Sequence, residues 1–98
     1  MARIVFTRKA ANSIRKLPKD KGLLRSIWQV LEQTAADPDE YLLPPAFPHA
    51  HPMRNFEVYD ESGQRWGVTA LATFDADEDV LLIILIYAGE LADEFEIE

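Results

Sequence analysis

The feature that most constrains this chain is an uncharged run, Val-Leu-Leu-Ile-Ile-Leu-Ile-Tyr-Ala, at residues 80–88. A strand with one face in water alternates apolar and polar residues, whereas this run would be apolar on both faces. Its β-branched residues favour a strand over a buried helical turn, as do the acidic turn at residues 75–79 and Gly89 after the run. We therefore predict the central strand of a small sheet, covered on both faces.

Length and composition limit what kind of protein this can be. The 98 residues predict one domain, residues 1–98, with a single core. The chain has no cysteine, which excludes disulfides and thiolate metal sites, so a reducing cytoplasm is expected. The amino terminus lacks an apolar signal core and no segment is long enough to span a membrane, so we expect a soluble, intracellular protein without a membrane partner.

The net charge of −7 is unevenly distributed along the chain. Eight basic residues precede position 26 against the single acid Asp20, whereas Arg54 and Arg65 are the only basic residues after it. The overall charge opposes non-specific nucleic-acid binding. The basic end is typical of solvated helix faces, but it would also suit a local nucleic-acid contact or an acidic protein partner.

The first half of the chain predicts a strand followed by a helical hairpin. The strand covers residues 3–7, where Thr7 is placed to cap the next helix. Apolar residues at helical spacing predict helices over residues 8–17 and 19–36, separated by Pro18. Helices joined by so short a turn form an antiparallel pair.

The second half predicts an antiparallel meander. Residues 37–52 contain five of the six prolines and are interpreted as an ordered loop. Strands follow at residues 53–59, 65–74 and 80–88. The predicted class is α+β, in the order β-α-α-β-β-β, with the helical hairpin packed on one face of a small antiparallel-dominated sheet. The acidic tail, residues 90–98, is either a frayed end or a docked segment.

These elements and the turns between them resemble the RelE/ParE superfamily of bacterial toxins, over nearly the whole chain. The resemblance is carried by Ile4-Val5-Phe6-Thr7, Leu17-Pro18-Lys19-Asp20, Ala36-Asp37-Pro38, Arg65-Trp66-Gly67-Val68 and the apolar closing strand. It implies a cytoplasmic toxin of a type II toxin–antitoxin pair, neutralised by an antitoxin protein. The activities known in the superfamily divide between ribosome-dependent mRNA cleavage, as an mRNA interferase, and poisoning of DNA gyrase.

The resemblance also directs attention to four candidate catalytic residues, Arg65, Tyr87, Glu57 and Arg54. RNA cleavage needs cations on the phosphate, a base for the 2′-hydroxyl and an acid for the leaving oxygen. Cleaving members typically carry an arginine on the middle meander strand, and Gly67 stands in that register here. Arg65 shares a strand face with Gly67 and is the candidate substitute, or else an ordinary hairpin-end charge. Tyr87 closes the last strand, Glu57 is the candidate base, and Arg54 has the opposite strand parity.

Two further classes of function compete with a catalytic toxin. Gly67 and the acidic second half favour a catalytically degenerate protein-binding module, and a gyrase-targeting toxin is the third hypothesis. An apolar patch at Leu42, Leu43 and Phe47 would suit an antitoxin groove or a homodimer contact.

The histidines and tryptophans are interpreted as structural rather than functional residues. His49 and His51 stand in a proline-rich loop without nearby spaced carboxylates, so no metal site is predicted there, and no cofactor is expected. Trp28 and Trp66 are assigned to core or hairpin packing.

Overall fold

The computed structural model describes residues 1–45, 47–48 and 50–92. Its elements are, in chain order, strand β1 (Arg3–Phe6), helices α1 (Arg8–Arg15), α2 (Lys21–Ala36) and α3 (Pro38–Tyr41), and strands β2 (Met53–Tyr59), β3 (Arg65–Asp75) and β4 (Val80–Glu90). The α+β class is confirmed, and so is the predicted order of the six main elements. No helix in the described part of the chain is long and apolar enough to cross a membrane.

The strands form one mixed sheet in the order β1-β4-β3-β2. β3 pairs antiparallel with both β2 and β4, whereas β1 pairs parallel with β4. β4 is therefore a central strand, as its apolar sequence predicts. Helix α1 contacts β4 and β1, helix α2 contacts β2 and β1, and together they cover one face of the sheet.

Side-chain caps determine where the two main helices begin. The Thr7 hydroxyl accepts from the Ala10 amide at 3.1 Å and donates to the Ile84 carbonyl at 2.6 Å, which ties the start of α1 to β4. Asp20 caps α2 by accepting from the Leu23 amide at 2.9 Å. The predicted helix start at Lys19 was therefore two residues early, because Asp20 is the capping residue rather than part of the helix.

The core lies between the helices and the sheet. Apolar side chains of α2 pack against the helix-facing residues of β3 and β4, and the buried set includes Leu23, Ile27, Leu31, Trp66, Val68, Ala70, Leu81, Ile83 and Ile86. The packing assignment of Trp66 is confirmed. Trp28 is 44% exposed and packs against Phe6 in a tilted arrangement with ring centroids 6.3 Å apart, so it lies at the margin of the core.

A β-bulge in β4 changes which of its residues face the helices. Leu71 pairs with Leu85, but the next residue of β3, Ala72, pairs with Ile83. Ile84 is therefore the extra residue on the bulged strand, and the alternation of side chains reverses at this point.

The bulge leaves the second face of β4 only partly covered. Leu81 and Ile83 face the helices before the bulge and Ile86 does so after it, and all three are buried. Tyr87 consequently points to the opposite face and is 59% exposed. Residues on that opposite face, such as Leu82, are half-buried. The apolar run predicts that both faces of β4 are buried. Only the face towards the helices is completely buried, so the prediction was wrong for the other face.

The proline-rich segment is more structured than predicted. Asp37 caps the short helix α3 and Pro38 occupies its first turn, a position that suits proline. Leu43 then forms an antiparallel bridge with Met53. The prediction of a loop throughout residues 37–52 was wrong for these parts. Within the tail, Leu91 donates its amide to the Arg65 carbonyl at 2.9 Å, and residues 93–98, like His49, lie outside the described residues.

Candidate functional site

The sheet face that carries no helix brings three of the four candidate residues onto one surface. We call this the open face, and define it by Glu57 of β2, Arg65 of β3 and Tyr87 of β4. Direct cross-strand partners share a face, and the register pairs Glu57 with Gly67 and Thr69 with Tyr87. Because Arg65, Gly67 and Thr69 alternate along β3, all of these positions point the same way.

Arg65 and Glu57 form an ion pair on the open face. Arg65 Nε lies 3.6 Å from Glu57 Oε2, and the two side chains are 26% and 57% exposed. The residues are diagonal neighbours on adjacent strands, since Arg65 pairs directly with Tyr59. The guanidinium is thus partly neutralised by a carboxylate, which weakens its ability to hold a phosphate.

Tyr87 stands apart from this ion pair. It lies beside Thr69, four residues along β3 from Arg65, which corresponds to about 13 Å of extended chain. Thr69 in turn donates its hydroxyl to Asn55 Oδ1 at 2.7 Å. The exposed phenol therefore belongs to a row of neutral polar groups rather than to the charged pair.

Gly67 lies on β3 between Arg65 and Thr69. The Leu91 side chain occupies the space beside it that a side chain at position 67 would fill. A Cβ built on Gly67 would stand 3.2 Å from the Leu91 side chain, whereas one built on its cross-strand partner Gly89 would meet nothing within 4 Å. Leu91, Glu57 and Thr69 are among the residues around a shallow depression of about 350 Å³ at this place. An apolar side chain thus fills the position at which the resemblance implies an arginine.

Arg54 is not part of this constellation. It pairs with Ala70, a buried residue on the helix side of the sheet. Its guanidinium stacks over Tyr41 at 4.9 Å and donates to Gln33 Oε1 at 3.3 Å. The grouping of Arg54 with the other three candidates was therefore wrong, because strand parity places it on the opposite face.

The open face is poorly equipped for RNA cleavage. Arg54 and Arg65 are the only basic residues of β2, β3 and β4, and Arg54 faces the other way. Glu57 is the carboxylate that pairs with Arg65 there. A phosphate bound near Gly67 would meet a single, already paired cation from these three strands. Among the described residues, no group of three or more histidine and carboxylate side chains is arranged to hold a metal ion.

A hydrogen-bonded turn fixes the end of the sheet next to Arg65. Asp60 accepts from the Ser62 hydroxyl at 2.6 Å, the Trp66 indole at 3.0 Å and the Gln64 amide at 3.0 Å. The hydrogen bond from Ser62, followed by that from Trp66, lowers the pKa of Asp60 from its ordinary value of 3.8 and outweighs a smaller desolvation effect. Gly63 closes the turn with a φ of 87°, which glycine adopts at little cost.

Three residues of the open face were missed by sequence reasoning as members of the site. Asn55 and Thr69 form a cross-strand polar pair, and Leu91 covers Gly67. The parity of Asn55 was visible in the sequence, but its partner depends on the pairing register. The position of Leu91 depends on where β4 ends, and the sequence carries no signal for that contact.

A second surface lies at the closed end of the helical hairpin. Ile14, Leu17 and Leu24 form the apolar floor of a groove of about 590 Å³. Arg15, Lys19 and Lys21 complete its lining and surround that floor with positive charge. The predicted patch at residues 42, 43 and 47 is less continuous: Leu43 and Phe47 are exposed, whereas Leu42 packs against the core.

The chain was compared with family models, with curated proteins and with solved structures. None of the three comparisons found a match. Functional inference therefore depends on the chain's own residues and on the resemblance carried by its motifs.

Proposed function

We propose that this protein is a RelE/ParE-like toxin, the toxin component of a type II toxin–antitoxin pair. The observation that carries the proposal is the architecture, in which a helical hairpin covers one face of a β1-β4-β3-β2 sheet. The other face presents Arg65, Glu57 and Tyr87 at its surface. This open face is the surface that meets the target, either mRNA on the ribosome or DNA gyrase.

A second candidate function is binding without catalysis. It is favoured by the Leu91 side chain over Gly67 and by the Arg65–Glu57 ion pair, because the one cation that β2, β3 and β4 place on the open face is thereby paired with a carboxylate. On this alternative the protein is a catalytically degenerate module that occupies a protein surface.

The cationic groove of the hairpin supports an antitoxin partner. Ile14, Leu17 and Leu24 offer an apolar floor, and the flanking cations select for negative charge. An amphipathic acidic segment has both properties. The rest of this acidic chain would repel such a segment, so the hairpin is the favoured place for it.

Induced expression in bacteria tests the toxin function. We expect growth to stop after induction and to resume when the cognate antitoxin is co-expressed. Undiminished growth, with the protein present in the soluble fraction, would contradict the proposal.

Two assays on the purified protein separate the targets. A ribosome-dependent nuclease produces new mRNA ends in a reconstituted translation reaction, whereas a gyrase poison blocks supercoiling and leaves mRNA intact. Growth arrest with neither effect identifies the binding module, since the toxic surface is then neither a nuclease nor a gyrase inhibitor.

A further inference from the structure

The outer edge of β2 carries backbone groups that the sheet does not use. Met53 exchanges both backbone hydrogen bonds with Leu43, at 2.8 and 3.1 Å, on the side away from β3. The Pro52 carbonyl, one residue earlier, accepts from Ala72 of β3 at 3.0 Å. The direction of backbone groups therefore alternates, with residue 53 pointing outward and residue 52 inward.

If the alternation continues along β2, the backbone groups of three more residues point outward. Asn55, Glu57 and Tyr59 direct their N–H and C=O groups away from β3. None of these backbone groups takes part in a hydrogen bond within the described residues. Leu43 thus begins a strand beside β2 that ends after one bridge, and the edge beyond it is open.

Helix α2 runs beside the outer edge of β2, and a groove lies between the helix and the strand. Ser26, Gln29 and Gln33 line one wall, and residues 57–59 of β2 line the other, around a volume of about 500 Å³. Tyr41, stacked under Arg54, stands towards the Met53 end of the strand, and the turn at residues 60–63 bounds the other end. An edge strand flanked by a helix is the geometry in which extended peptides add to a sheet.

We propose that this groove binds an extended segment of a partner protein, which adds to β2 as a further strand and places a lysine or arginine opposite Glu57. The segment would hydrogen-bond the outward groups of Asn55, Glu57 and Tyr59. Side chains facing α2 meet Ser26 and Gln29, so small polar residues suit those positions. The inference goes beyond the proposed toxin function and does not depend on it.

Charge favours a basic partner over a second copy of this chain. In the symmetric register that uses all three outward residues, Glu57 would stand opposite its own counterpart, and like charges directly opposite destabilise a strand pair. A cation at that position would share the half-exposed Glu57 carboxylate with Arg65, and the net charge of −7 also favours a basic segment.

Nuclear magnetic resonance with defined peptides tests the proposal. The probe is acetyl-Thr-Val-Thr-Lys-Thr-Val-Thr-amide, compared with the same peptide carrying glutamate for lysine. We expect the lysine peptide to shift the backbone amides of Asn55, Glu57 and Tyr59, and to bind roughly three- to tenfold more tightly than the glutamate peptide. The variant Glu57→Lys should reverse that preference.

Two controls test the backbone component. The variant Tyr59→Pro removes one outward amide without touching the β2–β3 hydrogen bonds, and should weaken binding of both peptides. An N-methylated lysine peptide removes the donors from the ligand side, so that the test holds even if Tyr59→Pro fails to fold. The proposal would be overturned if the amides of Asn55, Glu57 and Tyr59 did not shift, or if the N-methylated peptide bound as tightly as the unmodified lysine peptide. It would also be overturned by shifts confined to the α1–α2 groove, or by dimerisation of the free protein through β2.

Discussion

Arg65 Nε lies 3.6 Å from Glu57 Oε2 across two neighbouring strands of the open face. This contact joins the two charged members of the candidate site and has a measurable energy. Because both side chains are partly exposed, the pair should contribute only about 0.2–1 kcal/mol. A double-mutant cycle with Arg65→Ala and Glu57→Gln, followed by urea unfolding, isolates that coupling. The coupling should shrink in high salt, and a coupling above the stated range that is insensitive to salt would contradict this account of the pair.

Thr7 should be the most sensitive polar residue at the junction of α1 and β4. Its hydroxyl caps the helix through Ala10 and donates to the Ile84 carbonyl at the bulge. We expect Thr7→Ala to lower the free energy of unfolding by about 1–3 kcal/mol, and Thr7→Ser to restore most of it. Ser13→Ala is the matched control, because its exposed hydroxyl donates only to the Lys9 carbonyl of the same helix. Equal losses in the Thr7 and Ser13 variants would show that the junction is not stabilising.

Asp60 should make stability depend on acidic pH. Its pKa is lowered in the folded protein, first by the hydrogen bond from Ser62 and then by that from Trp66. The stabilising contribution is therefore complete above the ordinary value of 3.8 and is lost as the pH falls through the lower folded pKa. Thermal unfolding of wild type and Asp60→Asn over this range provides the measurement.

The difference between the melting temperatures of these two proteins should narrow as the pH falls below 3.8. Fluorescence of Trp66, whose indole donates to Asp60, should change over the same range in the wild type. A constant difference between the two proteins would show that the Asp60 carboxylate is not held by these bonds.

Gly67 and Gly89 form a matched pair of sites for alanine. They are cross-strand partners, but a Cβ would meet only open space at Gly89 and would meet Leu91 at 3.2 Å at Gly67. We expect Gly89→Ala to stabilise the protein by about 0.4–1 kcal/mol through the unfolded chain. Gly67→Ala should show less of this gain, and Leu91→Ala should restore it. Equal gains for the two glycine variants would contradict the contact between Leu91 and Gly67.

The elements that the sequence predicted well are those with a strong local signal. Thr7 and Pro18 mark the beginning of one helix and the gap before the next. The acidic turn at residues 75–79 marks the start of β4. The short helix α3 carried a signal too, since Asp37 caps it and Pro38 occupies its first turn, but the density of prolines obscured that signal.

The arrangement of the site was harder to predict because it depends on register. The apolar residues around Ile84 are alike in polarity, so nothing in them marks where a bulge reverses the alternation. That reversal puts Tyr87 on the open face. The position of Arg54, in contrast, could be predicted from the sequence. Its strand parity is opposite to that of Glu57, and the structure places it on the helix side of the sheet.

We propose that a toxic surface lies on the open face around Arg65. Growth after induced expression of Arg65→Ala tests it most directly, with Arg25→Ala as the control because Arg25 is exposed on α2, away from the open face. Both variants should fold, as circular dichroism can verify. We predict that wild type and Arg25→Ala arrest growth, whereas Arg65→Ala permits it. Arrest by Arg65→Ala as complete as that by wild type, or no arrest by any of the three proteins, would contradict the claim.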